Sequence, residues 1–167
     1  FGEGELTSIL INFPTPFPKK KRAPRRLTYL DRLMKYRRVL EEGGTVRMRT
    51  DSTPFRDFSL TQLELAGYEL QWETDDVRAM FPDEPWSGYE HKLVAKGAPV
   101  VGFCAVPGPA PEHVEQTAPL SLVSYLPEDL ENLDYVPFGM QGSIDNIVGY
   151  NANRRKKGLP DWRPPVV

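Results

Sequence analysis

Cysteine is nearly absent: Cys104 stands alone in a chain of 167 residues, so no intrachain disulfide can form and a secreted disulfide scaffold is excluded. Histidine is almost as scarce. His91 and His113 have no cysteine or carboxylate partners at metal-ligand spacing, so no metal site is expected. Neither belongs to a serine–histidine–acid pattern. No apolar run approaches the roughly 20 residues that a membrane-spanning helix needs, and no secretory signal opens the chain. The expected location is therefore cytoplasmic, with no membrane partner. The chain starts at Phe1 rather than methionine, which reads as a fragment or a processed form. A glycine-rich nucleotide loop is missing too. Gly2-Glu3-Gly4 has no strand before it and a strand after it, the reverse of the order that brings a phosphate or cofactor to a helix N-terminus, so it reads as an ordinary turn.

What is present suffices for one domain of ordinary size. Apolar residues make up 40%, charged residues 26% and aromatic residues 11%, a balance that argues against wholesale disorder. The 17 prolines cluster in residues 14–24 and about 106–127, which marks both stretches as irregular. The net charge of −2 conceals an uneven placement. Lys19, Lys20, Lys21, Arg22, Arg25 and Arg26 put six positive charges within eight residues, leaving −8 on the remainder. A mildly acidic body with one dense basic stretch suits a local anion-binding surface better than a general basic coat. A second basic run, Arg154 to Lys157, reads as a solvated terminus.

Periodicity predicts an α/β order. Ser8 to Phe13 is a short apolar run between Gly4 and Pro14, the pattern of a buried parallel strand. Leu27 to Glu41 is helical by spacing, with Gly43-Gly44 as its stop. Thr45 to Thr50 alternates and reads as a strand. Ser52-Thr53-Pro54 opens a helix to about Ala66, with a hydroxyl cap and an early proline. Tyr68 to Thr74 alternates as a half-exposed strand. An acidic loop through Glu84 precedes an apolar strand over Ala98 to Val106, the last two strands forming an antiparallel pair with a long connection. Beyond Val106 periodicity is weak: a short strand over Leu120 to Leu126 and a helical turn over Glu128 to Leu133 are the readings. The division is residues 1–105 as an α/β domain and 106–167 as a proline-rich linker and irregular extension.

The informative stretch is Asn12-Phe13-Pro14-Thr15-Pro16-Phe17-Pro18, followed at once by the six cations. It lies just past the carboxyl end of a parallel strand, where α/β sheets place ligands. Its prolines restrict the loop before anything binds, and lysine and arginine neutralise phosphates without reading sequence. This segment resembles the signature of bacterial tRNA (guanine-N7)-methyltransferases. Arg25-Arg26-Leu27-Thr28, Val39-Leu40 before Gly43-Gly44, Thr50-Asp51, and Ser87-Gly88-Tyr89-Glu90-His91-Lys92 before Gly97 continue the resemblance in order over residues 1–105.

The resemblance implies the second half of a Rossmann-like class I methyltransferase sheet. It also implies a protein that moves a methyl group from S-adenosylmethionine to a guanine of tRNA. Lys19, Asp51, Ser87, Gly88, Tyr89 and Glu90 match substrate-binding positions. Lys20, Lys21, Arg22, Arg25 and Arg26 match the RNA-contacting segment, and Asn12 and Pro14 border the donor. Asp51 and Glu90 have the chemistry to accept hydrogen bonds from guanine N–H groups. Other roles stand beside these: Asp51 as a helix cap, Tyr89 as core, Glu90 as the partner of Lys92 or an arginine. Two departures stand out. Thr15 occupies the position of the family's catalytic aspartate and has no carboxylate to offer. The strands that carry the S-adenosylmethionine glycine loop are not among these residues, so the donor's main site is expected elsewhere and the 167-residue chain alone is expected to be inactive. An exposed sheet edge that invites self-association follows. The alternative function is a non-catalytic RNA-binding module derived from the same fold.

Overall fold

The structure, a computed structural model, describes residues 1–164. Strand β1 (Leu6–Asn12) leads through the proline loop and a 3-10 turn (Lys20–Arg25) into helix α1 (Leu30–Val39). Then come β2 (Leu40–Thr50), α2 (Thr53–Leu65), β3 (Tyr68–Thr74), two short helices α3 (Val77–Met80) and α4 (Gly88–Val94), and β4 (Val101–Pro107). The extension contributes a 3-10 turn (Leu122–Tyr125) and helix α5 (Gln141–Lys156).

The four strands form one sheet in the order β1-β2-β4-β3. β1 and β2 are parallel, with α1 in the crossover that such a pair needs, while β4 runs antiparallel to both of its neighbours. This mixed α/β architecture agrees with the class I methyltransferase expectation. The register places Ile11, Met48 and Phe103 abreast, and Ile9, Val46 and Ala105 beside them. That face makes the core under Leu30 and Leu33 of α1 and Phe55, Phe58 and Leu63 of α2. The two helices are pinned by a Thr28–Ser59 hydroxyl bond of 2.7 Å and by the Leu30 N–H donating to Gln62 Oε1 at 3.0 Å. Ser52 caps α2, its Oγ accepting from the Phe55 N–H at 3.3 Å.

On the opposite face α3 meets β4, while α4 is tied to β2 through Glu90, 3.7 Å from Arg49. Gly102 is what lets α3 approach, because a Cβ there would strike the Met48 carbonyl oxygen and come within 3.0 Å of Val77 Cγ2. Over β1 that face is bare: Leu10 is 63% exposed, and β1 pairs on one side only.

Local readings differ from the structure at three places. Gly43-Gly44 does not stop the helix, which ends at Val39 and turns directly into β2. Gly43 takes a φ of 75° inside a register break, where Leu6 pairs with Leu40 but Ser8 with Thr45, so the glycines form a bulge. The acidic loop contains α3 and the connection after it contains α4, each opened by a side-chain cap: Asp76 accepts from the Arg78 and Ala79 N–H groups, and Ser87 from the Glu90 N–H. The extension is helical over α5 rather than irregular. Residues 122–125 form a 3-10 turn instead of a strand, and 128–133 are not helical. Leu122, Met140 and Ile144 join the single core cluster, so the extension packs on the domain. Arg154, Arg155 and Lys156 lie in the last turn of α5, where cations oppose the helix dipole. Arg155 is further committed to Asp161 and Glu131.

Candidate functional site

At the carboxyl end of β1 the chain bends sharply. Phe13 and Phe17 both have left-handed backbones, with φ of 48° and 45°, a conformation that side chains with a Cβ disfavour. Something must hold them there. The Phe13 N–H donates to Arg49 O at 2.8 Å, which ties the start of the loop to β2. The remainder is held by Arg26, whose guanidinium donates to Pro16 O at 2.9 Å, Phe17 O at 2.7 Å, Pro18 O at 3.3 Å and Leu120 O at 2.8 Å. Arg26 is fully buried, stacked 4.3 Å over the Phe58 ring, and burial pulls its pKa down to about 10. It remains a cation at neutral pH, balanced by carbonyl dipoles rather than by a carboxylate. The expectation that Arg26 contacts RNA is therefore corrected: all its donors are turned inward.

The other five cations behave differently. Lys19, Lys20, Lys21, Arg22 and Arg25 are exposed on the 3-10 turn and its N-cap, with Arg25 4.8 Å over the Phe17 ring. The loop thus has a rigid inner strut and a charged outer surface. Thr15 lies on the exposed rim of the same loop, and Asn12 is exposed at the strand end beside the partly covered Pro14.

Asp51 lies where β2 ends, next to β1. It does not cap α2, a role taken by Ser52. Its Oδ2 accepts from the Tyr135 hydroxyl at 2.5 Å, and among the described residues Oδ1 accepts no hydrogen bond. Burial and the Asp51 carboxylate raise the Tyr135 phenol above its ordinary pKa, so at neutral pH it stays a donor. Asp51, Asp57, Pro99, Tyr125, Tyr135 and Pro137 help line a cleft of about 400 Å³. Tyr89 reaches the same end of the sheet from α4, 55% exposed and edge-on to Phe13 at 5.5 Å. Gly88 beside it leaves open space where a Cβ would stand.

Glu90 does not face that cleft. It is 1% exposed, paired with Arg78 and 3.7 Å from Arg49. Arg78 also donates to Glu84 O at 3.0 Å, while the Glu84 carboxylate takes Arg47 at 2.7 Å and Arg49. Those arginines hold the Glu84 carboxyl below its ordinary pKa. The network fixes the Ser87–Tyr89 turn from behind. Sequence reasoning overlooked Arg78, Glu84 and Tyr135. The Ser87-x-x-Glu90 spacing is a helix-start signal that marks α4, but nothing in the sequence connects Tyr135 to Asp51.

A family model described as "Putative methyltransferase" matches residues 1–102. The chain belongs to this methyltransferase family. Three curated relatives are each named tRNA (guanine-N(7)-)-methyltransferase. That of Geobacillus kaustophilus (strain HTA426) is 39% identical over 98 residues, 58% of this chain and 45% of the relative. That of Streptococcus sanguinis (strain SK36) is 36% identical over 98 residues, covering 58% and 46%. That of Limosilactobacillus reuteri (strain DSM 20016) is 33% identical over 107 residues, covering 63% and 50%. The chain spans about half the length of the curated relatives it matches. Every site position inherited from the family resemblance lies within residues 1–102, whereas Tyr125 and Tyr135 lie beyond the family match.

Added Cβ atoms at Gly2 and Gly4 would make only ordinary contacts, 3.5 Å from Glu5 Oε2 and 3.9 Å from Glu41 Cα. Neither glycine marks a close cradle for a cofactor. Among the described residues there is no cluster able to hold a metal ion, and no helix is long and apolar enough to cross a membrane.

Proposed function

We propose that the whole protein transfers a methyl group from S-adenosylmethionine to N7 of a guanine in tRNA, and that this chain supplies the RNA-facing side of the site. The observation that carries this reading is the exposed basic turn, held rigidly against the carboxyl end of β1, the same end of the sheet as Asp51 and Tyr89. The names of the curated relatives support it. N7 of guanine is already nucleophilic, so the protein's task is to align that atom and exclude water.

Lys20, Lys21, Arg22 and Arg25 take RNA phosphates, which positions the molecule without specifying a base. Lys19, at the N-cap of the turn, contacts the substrate. Asp51 accepts the guanine N–H groups at its free oxygen, and Tyr89, propped by Phe13, forms a wall. Ser87 and Gly88 line the same turn, while Glu90 holds that turn in place through Arg78. Asn12 and Pro14 border the donor, whose own site lies mainly in parts of the protein outside this chain. The unpaired edge of β1 and the bare face around Leu10 are where chains self-associate.

Thr15 motivates a second reading, in which the protein binds tRNA and performs no chemistry. The guanine ring becomes cationic as N7 is alkylated, and a hydroxyl at position 15 offers that charge no counter-ion. Nucleoside digests of tRNA treated with the whole protein and S-adenosylmethionine separate the two. Accumulation of 7-methylguanosine, accelerated about tenfold or more by Thr15→Asp, is the enzymatic outcome. Retained tRNA with no 7-methylguanosine, even for Thr15→Asp, establishes the binding module instead.

A further inference from the structure

We infer that the C-terminal extension completes the guanine pocket, with Tyr135 a positioning residue that orients the Asp51 carboxylate toward the base. This rests on the guanine reading above, and deepens it with a segment that the family match does not cover.

The extension is anchored on both sides of the cleft. Leu122 N–H donates to Pro18 O at 3.0 Å, and Arg26 reaches Leu120 O, so the basic loop and the extension share one support. Tyr125 packs edge-on to Phe58 at 5.9 Å and donates to Pro119 O at 2.8 Å. Leu122 and Met140 are fully buried. Between these anchors Tyr135 meets Asp51 across 84 residues of sequence. A strap lying loosely on the surface has no such buried fixings.

The chemistry is specific. A free carboxylate has two equivalent oxygens and can rotate between them. With Oδ2 holding the phenol the carboxylate no longer rotates freely, and Oδ1 is the oxygen that has no hydrogen-bond partner among the described residues. Guanine presents N–H donors at N1 and N2, which match a fixed acceptor. Adenine presents a lone pair at N1, which a carboxylate oxygen repels. The cleft, at about 400 Å³, lies within the usual range for small-molecule pockets, and its proline and tyrosine walls suit a flat ring.

The test uses the whole protein and two RNA hairpins that differ only in a guanine or adenine at one loop position, with the ratio of the two dissociation constants as the readout. General losses of affinity cancel in that ratio. The wild type favours the guanine hairpin about tenfold, the scale of one well-placed pair of hydrogen bonds to a base edge. Tyr135→Phe and Asp51→Asn each bring the ratio near one, and the double variant brings it no lower, because the phenol acts through the carboxylate. A preserved ratio in Tyr135→Phe overturns the inference, as do two effects that multiply. Should Tyr135→Phe fail to fold, Asp51→Asn reads the same contact from its other side, and a preserved ratio there overturns it equally. A wild type that binds both hairpins equally removes the pocket but leaves the basic surface. A wild type that binds neither removes the guanine reading itself, and this inference with it.

Discussion

Arg26 sits inside the densest cationic stretch of the chain and points the other way from its neighbours. Its four carbonyl partners keep Pro16, Phe17 and Pro18 in a loop whose two phenylalanines have unfavourable backbones. Arg26→Met keeps the length of the side chain and removes every donor. It is expected to cost about 3 kcal/mol, since the buried carbonyls lose their partner, which lowers Tm by roughly 6–12 °C for a chain of this size. The charge run and the family resemblance both assigned Arg26 to the RNA surface, because neither shows the direction in which a cation faces. The same holds for Glu90, whose carboxylate is spent on Arg78 and Arg49. Tyr135 was illegible for another reason: its partner is 84 residues away and it lies beyond the family match.

At the scale of elements, the α3–α4 layer depends on an ion network that the strands alone do not provide. Arg47 and Arg49 project from β2 away from the core, and Glu84 meets both. The carboxyl's pKa is lowered in the folded state, so the folded protein binds that proton less readily than the unfolded chain. The stability this contributes is present above the ordinary carboxylate value near 4.5 and is lost as pH falls through the depressed folded value. Thermal unfolding of the wild type and Glu84→Gln is expected to differ at neutral pH and to converge in acid; a constant gap across pH contradicts the assignment. The four strands and first two helices were legible, because long apolar stripes and alternation set their periods. α3 and α4 were not: four and seven residues are too short for a period, and only their caps, Asp76 and Ser87, mark them. In α5 the buried Ile144, Ile147 and Asn151 keep helical spacing, but Gly142 and Gly149 dilute the signal.

For the whole molecule, both outer strands of the sheet, β1 and β3, pair on one side only. β4 is buried between its neighbours, whereas β1 adds to its free edge an exposed Leu10 on a bare face. Such an edge templates pairing with another chain. Light scattering is expected to show mass rising with concentration, and Leu10→Lys is expected to suppress that rise. A monomer at every concentration removes the proposal.

Above all, the proline-stiffened turn after β1 is held to offer its outward cations to RNA phosphates. The direct measurement is tRNA affinity across a series of salt concentrations, for the wild type and for a variant with Lys20, Lys21, Arg22 and Arg25 replaced by glutamine. Each phosphate left without its cation reduces the slope of log K against log salt by about 0.7 to 0.9. The fourfold variant should therefore show a slope shallower by roughly 3, with Arg26→Met leaving the slope unchanged. Equal slopes for the wild type and the fourfold variant would contradict this role for the turn.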